Sequence, residues 1–428
     1  MSAATANFVS RSASAAVIAA WIAVGAAAPA CANVITDWDE KAIGAVAPLA
    51  GVNAPYQPYV AYRMMGIVHA AMFDAVNSIG RRYRPYVVQL PADAGTSQEA
   101  AAAAAAATVL ASIDAKTAGN MKVALADYIA AIPEGAAKSN GVKLGETVAA
   151  EVLRARADDG CDAPDDYRPR TTPGVYVPTA TTRAAMWAKM KPFAIASPSQ
   201  FRPGPPLSLE SKDWATDFGE IKEYGRHDSA TRSAEQTETA RFWLVAGPIA
   251  YHPFVRQLAQ AKQMDIIESA RFMTLAALGI NDALIAVFDA KYHYNFWRPV
   301  TAIRNADNDG NSTTDRDATW RPIADTPMHP EYPCAHCIVS GSVAGVVKAA
   351  LGTDEIPEIA MASPTAPGVT HRWTSMAAFA QEVANARVWA GFHYRFSTEV
   401  GKDMGKKIGE LTAATQLRPA AAPAKPAL

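Results

Sequence analysis

Between residues 62 and 79 the chain reads "YRMMGIVHAAMFDAVNSI", with apolar positions recurring every three or four residues. That spacing lays one continuous apolar stripe along an α-helix. Helical patterning of this kind extends from Asp37 to about Leu153. Within it, "QEAAAAAAAATVLASI" holds eight consecutive alanines after Glu99, a strong helix former that carries no chemistry of its own. "SNGVKLGETVAAEVLRARADDG" predicts a further helix that stops at Gly160. Helical character returns in "SAEQTETARFWLVAG", where Ser233 is placed to cap the helix and Gln236, three residues on, to reach back. A long segment, "DIIESARFMTLAALGINDALIAVFDAKYHYNFW", spans residues 265–297, and two more helices are expected to start near Pro333 and near Met376. Strand signals are scarce, so the fold class is all-α.

Nine prolines fall between Pro164 and Pro206, in phrases such as "YRPRTTPGVYVP" and "FRPGPPLSL". Proline fixes φ and removes a donor, so this segment reads as an ordered but irregular crossing between two helical halves. The expected organisation is a signal peptide over 1–32, an N-terminal helical bundle over 33–163 and the proline-rich crossing over 164–206. A C-terminal helical bundle over 207–415 and a disordered Ala/Pro tail over 416–428 complete it.

The first residues place Arg11 before an uncharged run from Ser12 to Ala28, ending in Ala30-Cys31-Ala32. A small-x-small site after such a run reads as an export signal, which implies a periplasmic or secreted protein. The alternatives are a lipid anchor through Cys31 and an ordinary buried first helix. The run is too short and alanine-rich for an integral membrane anchor. A formal net charge of −1 gives no general attraction to nucleic acid. Cleavage after Ala32 leaves Cys161, Cys334 and Cys337, an odd set too small for a disulfide-stapled scaffold. Cys334 and Cys337 would be neighbours on a helix, with poor geometry for a disulfide, although an oxidising compartment could still pair two of the three.

Three phrases carry candidate chemistry. "KYHYNFWRP" holds Lys291 and Arg298 seven apart, which on one helix would share a face at about 10 Å. "HPEYPCAHC" places Pro333 to open a helix, leaving the N–H groups of Ala335 and His336 unpaired at the positive end of the helix dipole, where anions bind. "ANARVWAGFHYRFSTEVG" presents Arg387 and His393 around the small pair Ala390-Gly391. Taken singly, each has a plain structural reading: solvated charges, a helix start, a satisfied core histidine. Together, Lys291, Arg298, Arg387, His336 and His393 form a set for a tetrahedral or trigonal-bipyramidal oxyanion. Zinc or copper binding by His329, Cys334, His336 and Cys337 is a rival, but the spacing matches no common zinc pattern. "NADNDGNSTTD" imitates a calcium loop and fails at its twelfth position, Arg316. Asp228 is either a partner for one of the oxyanion arginines or a loop cap.

The order Lys-x6-Arg-Pro, Pro-x-x-His, Arg-x5-His resembles the superfamily of vanadium-dependent haloperoxidases and type 2 phosphatidic acid phosphatases. The surrounding phrases "HAAMFDAVNSIGRRYRPY", "SATRSAEQTETARFW", "KYHYNFWRPVTAIR", "HPEYPCAHC" and "ARVWAGFHYRF" resemble its secreted bacterial haloperoxidase branch, from roughly Asp37 to Gly409. The resemblance implies two stacked helical bundles with the active site in the C-terminal one. It implies that Lys291, Arg298 and Arg387, with Cys334 and Ala335 at the helix start, hold vanadate or phosphate. His393 would be the axial metal ligand, or a nucleophile forming a phosphohistidine, and His336 the acid/base.

The sequence departs from the family pattern at three places. Cys334-Ala335 stands for the usual Ser-Gly; a thiol is a weaker donor than a hydroxyl and is open to oxidation. Ala386 stands where Ser often precedes the arginine. Ser397 replaces the carboxylate commonly four residues after the axial histidine, so the imidazole needs another acceptor, Glu399 or a backbone carbonyl. The implied function is an exported haloperoxidase oxidising halide with hydrogen peroxide at a histidine-ligated vanadate. The alternatives are an exported phosphatase acting on a small phosphate ester through the same pocket, and a non-catalytic oxyanion-binding protein. A homodimer is left open.

Overall fold

The computed structural model describes residues 33–50 and 58–420, so the expected signal peptide lies outside the described residues. The described residues all belong to one compact unit. Five helices make the N-terminal half: α1 (Val34–Val46), α2 (Pro58–Gly80), α3 (Gln98–Ala111), α4 (Ala115–Ile129) and α5 (Ala136–Ala155). Eight follow: α6 (Lys212–Tyr224), α7 (Ala234–Phe242), α8 (His252–Ala261), α9 (Ile266–Tyr294), α10 (Pro299–Arg304), α11 (Ala335–Leu351), α12 (Met376–Trp389) and α13 (Arg395–Thr415). The fold is all-α, two stacked helical bundles, as the periodicity and the resemblance imply.

The axis of the structure is α9. Asp265 caps it and Glu268 closes a capping box, while its apolar residues are buried on nearly every side because α2 packs on one flank and α11 and α13 on another. It is long and apolar enough to cross a membrane, but it is almost wholly enclosed by protein, as the central helix of a bundle must be. The main hydrophobic cluster runs from Val34 to Leu417 and draws on both halves of the chain.

The proline-rich crossing is pinned onto α9 by side chains rather than by its own ladder. The Asp282 carboxylate accepts the backbone N–H groups of Phe193, Ala194 and Ile195 at 2.6–2.8 Å. Asp289 takes a bidentate pair from Arg202, both at 2.7 Å, and the hydroxyls of Tyr292 and Tyr294 donate to the carbonyls of Arg183 and Pro203. These bonds satisfy a backbone that proline prevents from satisfying itself.

Two parts of the sequence reading change. A hairpin, β1 (Glu355–Ser363) and β2 (Ala366–Ser375), stands between α11 and α12. Ile359, Met361 and Ser363 alternate inward, but Pro357 and Pro367 mask the strands in the sequence. The first residues of the tail expected over 416–428 are held in the fold: the Arg418 carbonyl accepts from Arg84 N–H, Ala420 N–H donates to the Arg82 carbonyl, and Leu417 is buried. Residues 421–428 lie outside the described ones.

The contact that sets the site is between α11 and α13, whose backbones touch through glycine. A Cβ on Gly341 or Gly345 would meet the carbonyls of Lys402 or Lys406 at 2.2 and 2.3 Å, and one on Gly405 or Gly409 would meet those of Ile338 or Ser342 at 2.0 and 2.1 Å. Gly405→Ala is therefore expected to force the helices apart and cost at least about 1–3 kcal/mol in urea unfolding. Gly44→Ala, whose Cβ meets nothing within 4 Å, should be neutral or stabilising. Equal effects of the two substitutions would contradict the close-contact account.

Candidate functional site

The expected residues come together where α9, α10, α11 and α12 end or begin. Lys291 sits in the last turn of α9, which Asn295 terminates in the left-handed conformation with φ 50°. Arg298 is consequently not on the same helix face as Lys291, contrary to the sequence expectation; it is the N-cap residue of α10. His393 likewise lies off the helix, in the turn between α12 and α13. Gly391, with φ +79°, makes that turn, and a Cβ there would meet the Gly225 carbonyl at 2.4 Å. The carbonyl of Arg387 accepts N–H groups from Phe392 and His393 and so folds the turn back over the end of α12.

All three cations are buried. Lys291 Nζ donates to the carbonyls of Pro330 (3.0 Å) and Glu331 (2.7 Å). Arg298 donates through Nε to the His329 carbonyl (2.9 Å) and through Nη1 to the Phe392 carbonyl (2.9 Å). Its Nη1 also lies 3.2 Å from His393 Nε2, and its Nη2 3.0 Å from His329 Nδ1. Arg387 donates to the Trp243 carbonyl at 2.6 Å and keeps a buried Nε without a partner. Burial pulls Lys291 well below its ordinary basicity, and Arg298 beside it adds to the effect. A carbonyl-lined site with this much cationic charge still has donors to offer an anion.

The histidines are neutral in such a field. Burial, then the charges of Arg298 and Lys291, hold His393 well below the usual imidazole range. Its Nδ1 lies 2.7 Å from Glu331 Oε1 in a fully buried contact and its Nε2 3.2 Å from an Arg298 N–H, an arrangement that an ionised Glu331 satisfies with the proton on Nδ1 and the lone pair on Nε2. Glu331 is itself pushed up to about 7 by burial, against the pull of Lys291 and Arg298. His336, at the first turn of α11, is held down to about 3 by burial and then by Arg387. Its Nε2 donates to the Val245 carbonyl at 2.9 Å, which leaves Nδ1 as its free acceptor.

Cys334 does not play the part its position suggests. It is the N-cap of α11, with φ −66° and ψ 120°, and its sulfur is bonded to that of Cys337. Within a helix the two side chains would diverge, but the extended cap residue turns the Cys334 sulfur onto Cys337 at a Cα separation of 5.3 Å. The cap sulfur also accepts from Cys337 N–H, and Cys334 N–H goes to the Ser397 carbonyl, so neither is left for a bound anion. The first-turn amides of Ala335 and His336 remain without an intrahelical acceptor.

The rival readings dissolve into local contacts. The sulfurs bond to each other and His329 faces Arg298, so the proposed zinc or copper set does not assemble. Asp309 accepts from Thr314 Oγ1 and Trp214 Nε1, and Asp307 pairs with Arg316, which makes the "NADNDGNSTTD" segment a polar turn. Asp228 pairs with Arg226, not with an oxyanion arginine. Glu399 is engaged by Gln381 and Lys402, not by His393.

Among the described residues, one further group has metal-ligating character: Asp39, His69 and His252. Asp39 Oδ1 lies 2.9 Å from His69 Nε2 and 3.0 Å from His252 Nδ1, and Oδ2 takes a bond from Arg256. The second nitrogen of each ring, His69 Nδ1 and His252 Nε2, is buried without a partner. Metal-bound histidines almost always donate that second N–H, so the cluster reads as a charge knot joining α1, α2 and α8 rather than a metal site.

Residues 271–420 match the family model described as the VCPO second helical-bundle domain. The crystal structure of a bacterial vanadium-dependent iodoperoxidase is similar over 90% of this chain and 97% of its own, with a TM-score of 0.76 and 23% identity. Apo and holo forms of a bacterial vanadium-dependent chloroperoxidase give TM-scores of 0.70 and 0.69 at 18% and 19% identity. They cover 86% and 90% of this chain and 95% and 97% of their own. No curated protein matches the chain in sequence. The fold is thus that of the two-bundle haloperoxidases. The family-model match spans residues 271–420, the segment that holds every candidate site residue.

The cysteine assignment can be checked directly. Alkylation of the unreduced, denatured chain is expected to label the Cys161 peptide but not the peptide carrying Cys334 and Cys337, which should take two labels only after reduction. Full labelling without reduction would contradict the pairing.

Proposed function

We propose that this chain is an exported vanadium-dependent haloperoxidase that oxidises a halide with hydrogen peroxide. The observation that carries the reading is the unprotonated Nε2 of His393, held by Nδ1 on Glu331 and turned toward Arg298 in a site where Lys291 and Arg387 are also buried. The residues fit vanadate: a neutral imidazole for the metal, N–H donors on Lys291, Arg298 and Arg387 for its oxygens, and first-turn amides of α11 beside them. Bound there, vanadate would supply Lewis-acid activation of hydrogen peroxide without changing oxidation state. Lys291, Arg298 and Arg387 would neutralise the oxyanion charge in a site that excludes bulk water. His336, with Nε2 tied to Val245, would take or return a proton at Nδ1.

Two departures from the family pattern, at Cys334 and Ser397, change meaning in the fold. Cys334 carries no free thiol for the oxidant to attack, and His393 has an acceptor despite Ser397. A buried disulfide also suits an oxidising compartment, which supports export. The same bare Nε2 would serve as a nucleophile on phosphorus, so hydrolysis of a small phosphate ester is the second reading.

The test is oxidation of bromide and of iodide by hydrogen peroxide, with and without orthovanadate, beside a His393→Ala variant. Vanadate-dependent turnover that the variant loses is the expected result. Ester hydrolysis through a phosphohistidine, with no halide oxidation, would replace the proposal with the second reading.

A further inference from the structure

Position 397, one helical turn after His393, is where the sequence pattern leads one to seek a carboxylate, and it holds a serine whose Oγ lies 3.5 Å from His393 Nδ1. The same nitrogen is met at 2.7 Å by Glu331, which comes from a different element, the loop that leads into α11, 62 residues earlier in the chain. We propose that Glu331 is the positioning residue for His393, a carboxylate relocated from the helix after the histidine to the loop before α11. The proposal rests on the reading of His393 as the ligand to the bound anion.

Glu331 is built for this. Its N–H donates to the Phe296 carbonyl at 2.9 Å, and its own carbonyl receives Lys291 Nζ, so its backbone is fixed from both sides. Its carboxylate accepts the Tyr394 N–H at 3.2 Å as well as the imidazole, and so grips the His393 turn by ring and backbone together. One residue thereby ties a pocket cation and the imidazole to the same short loop. The carboxylate fixes which nitrogen carries the proton: Nδ1–H points at Glu331, and Nε2 is left bare toward Arg298. Ser397, with a neutral hydroxyl at longer range, cannot impose that choice.

Charge and positioning make opposite predictions about removal of this group. Glu331 acts by its charge on Lys291 and Arg298, so deleting that charge makes the pocket more positive. If Glu331 were only a counter-charge, Glu331→Gln would bind every oxyanion more tightly. As a positioning residue, its loss should weaken the one anion that needs the imidazole lone pair, while leaving anions that need only cations unharmed.

The experiment measures orthovanadate and sulfate affinity by isothermal titration for the wild type, Glu331→Gln and the double variant Glu331→Gln/Ser397→Asp. Glu331→Gln is expected to lose about 10–100-fold in orthovanadate affinity with sulfate affinity unchanged or raised. The double variant should recover most of the loss, because it returns a carboxylate to the same nitrogen from position 397. Unchanged or tighter orthovanadate binding by Glu331→Gln would overturn the proposal, as would a double variant no better than the single one. Nitrogen NMR of histidine-labelled wild-type protein, with His393→Ala for assignment, gives an answer that does not depend on the Glu331 variants folding. A proton on Nδ1 is expected, and a proton on Nε2 would overturn the assignment. A wild type that binds no orthovanadate would defeat the functional reading, whereas the tautomer would still decide the role of Glu331.

Discussion

Lys291, Arg298 and Arg387 are buried together, and the Glu331 carboxylate acts on Lys291 and Arg298 from within the site. Burying a charge costs several kcal/mol unless partners replace its water, and this pocket holds more positive charge than it neutralises. The structure meets the cost with backbone carbonyls at Pro330, Glu331, His329, Phe392 and Trp243, each aimed at a cation. Carbonyls solvate a cation without cancelling its charge. What remains is an excess of positive charge suited to an anion, and the arrangement of helices holds these groups in place.

Three features of the chain supply the holding. Termination of α9 at Asn295 lets Lys291 and Arg298 approach the pocket from two elements rather than from one face of a rod. The glycine contacts between α11 and α13 bring the helix that starts at the Cys334 cap against the helix that follows His393. The Gly391 turn, closed by the Arg387 carbonyl, sets the ring of His393 beside the guanidinium groups. Each is a backbone event in which a side chain larger than hydrogen, or a helix one turn longer, would move a functional group out of the site.

The helices and the identity of most site residues were legible because both depend on local spacing. Apolar residues repeating every three or four positions specify α2 and α9, and the spacing of Lys291, Arg298, His336, Arg387 and His393 marks the oxyanion set. What could not be read depends on distance in the chain or on a single dihedral angle. Glu331 meets His393 across 62 residues, and nothing near either residue in sequence announces the pairing. The Cys334–Cys337 bond needs an extended cap residue, whereas spacing alone suggested two thiols on a helix. The hairpin escaped notice because its prolines contradict the alternation of its buried side chains.

The central claim, that the buried cations form an anion site coupled to the stability of the fold, is tested most directly by thermal unfolding of the purified chain against increasing orthovanadate or inorganic phosphate. A ligand that binds the folded state alone stabilises it by about 2.7 kcal/mol at one hundred times its Kd, so the midpoint should climb steadily with the logarithm of concentration. An unfolding curve that neither anion shifts at millimolar concentration would contradict the account.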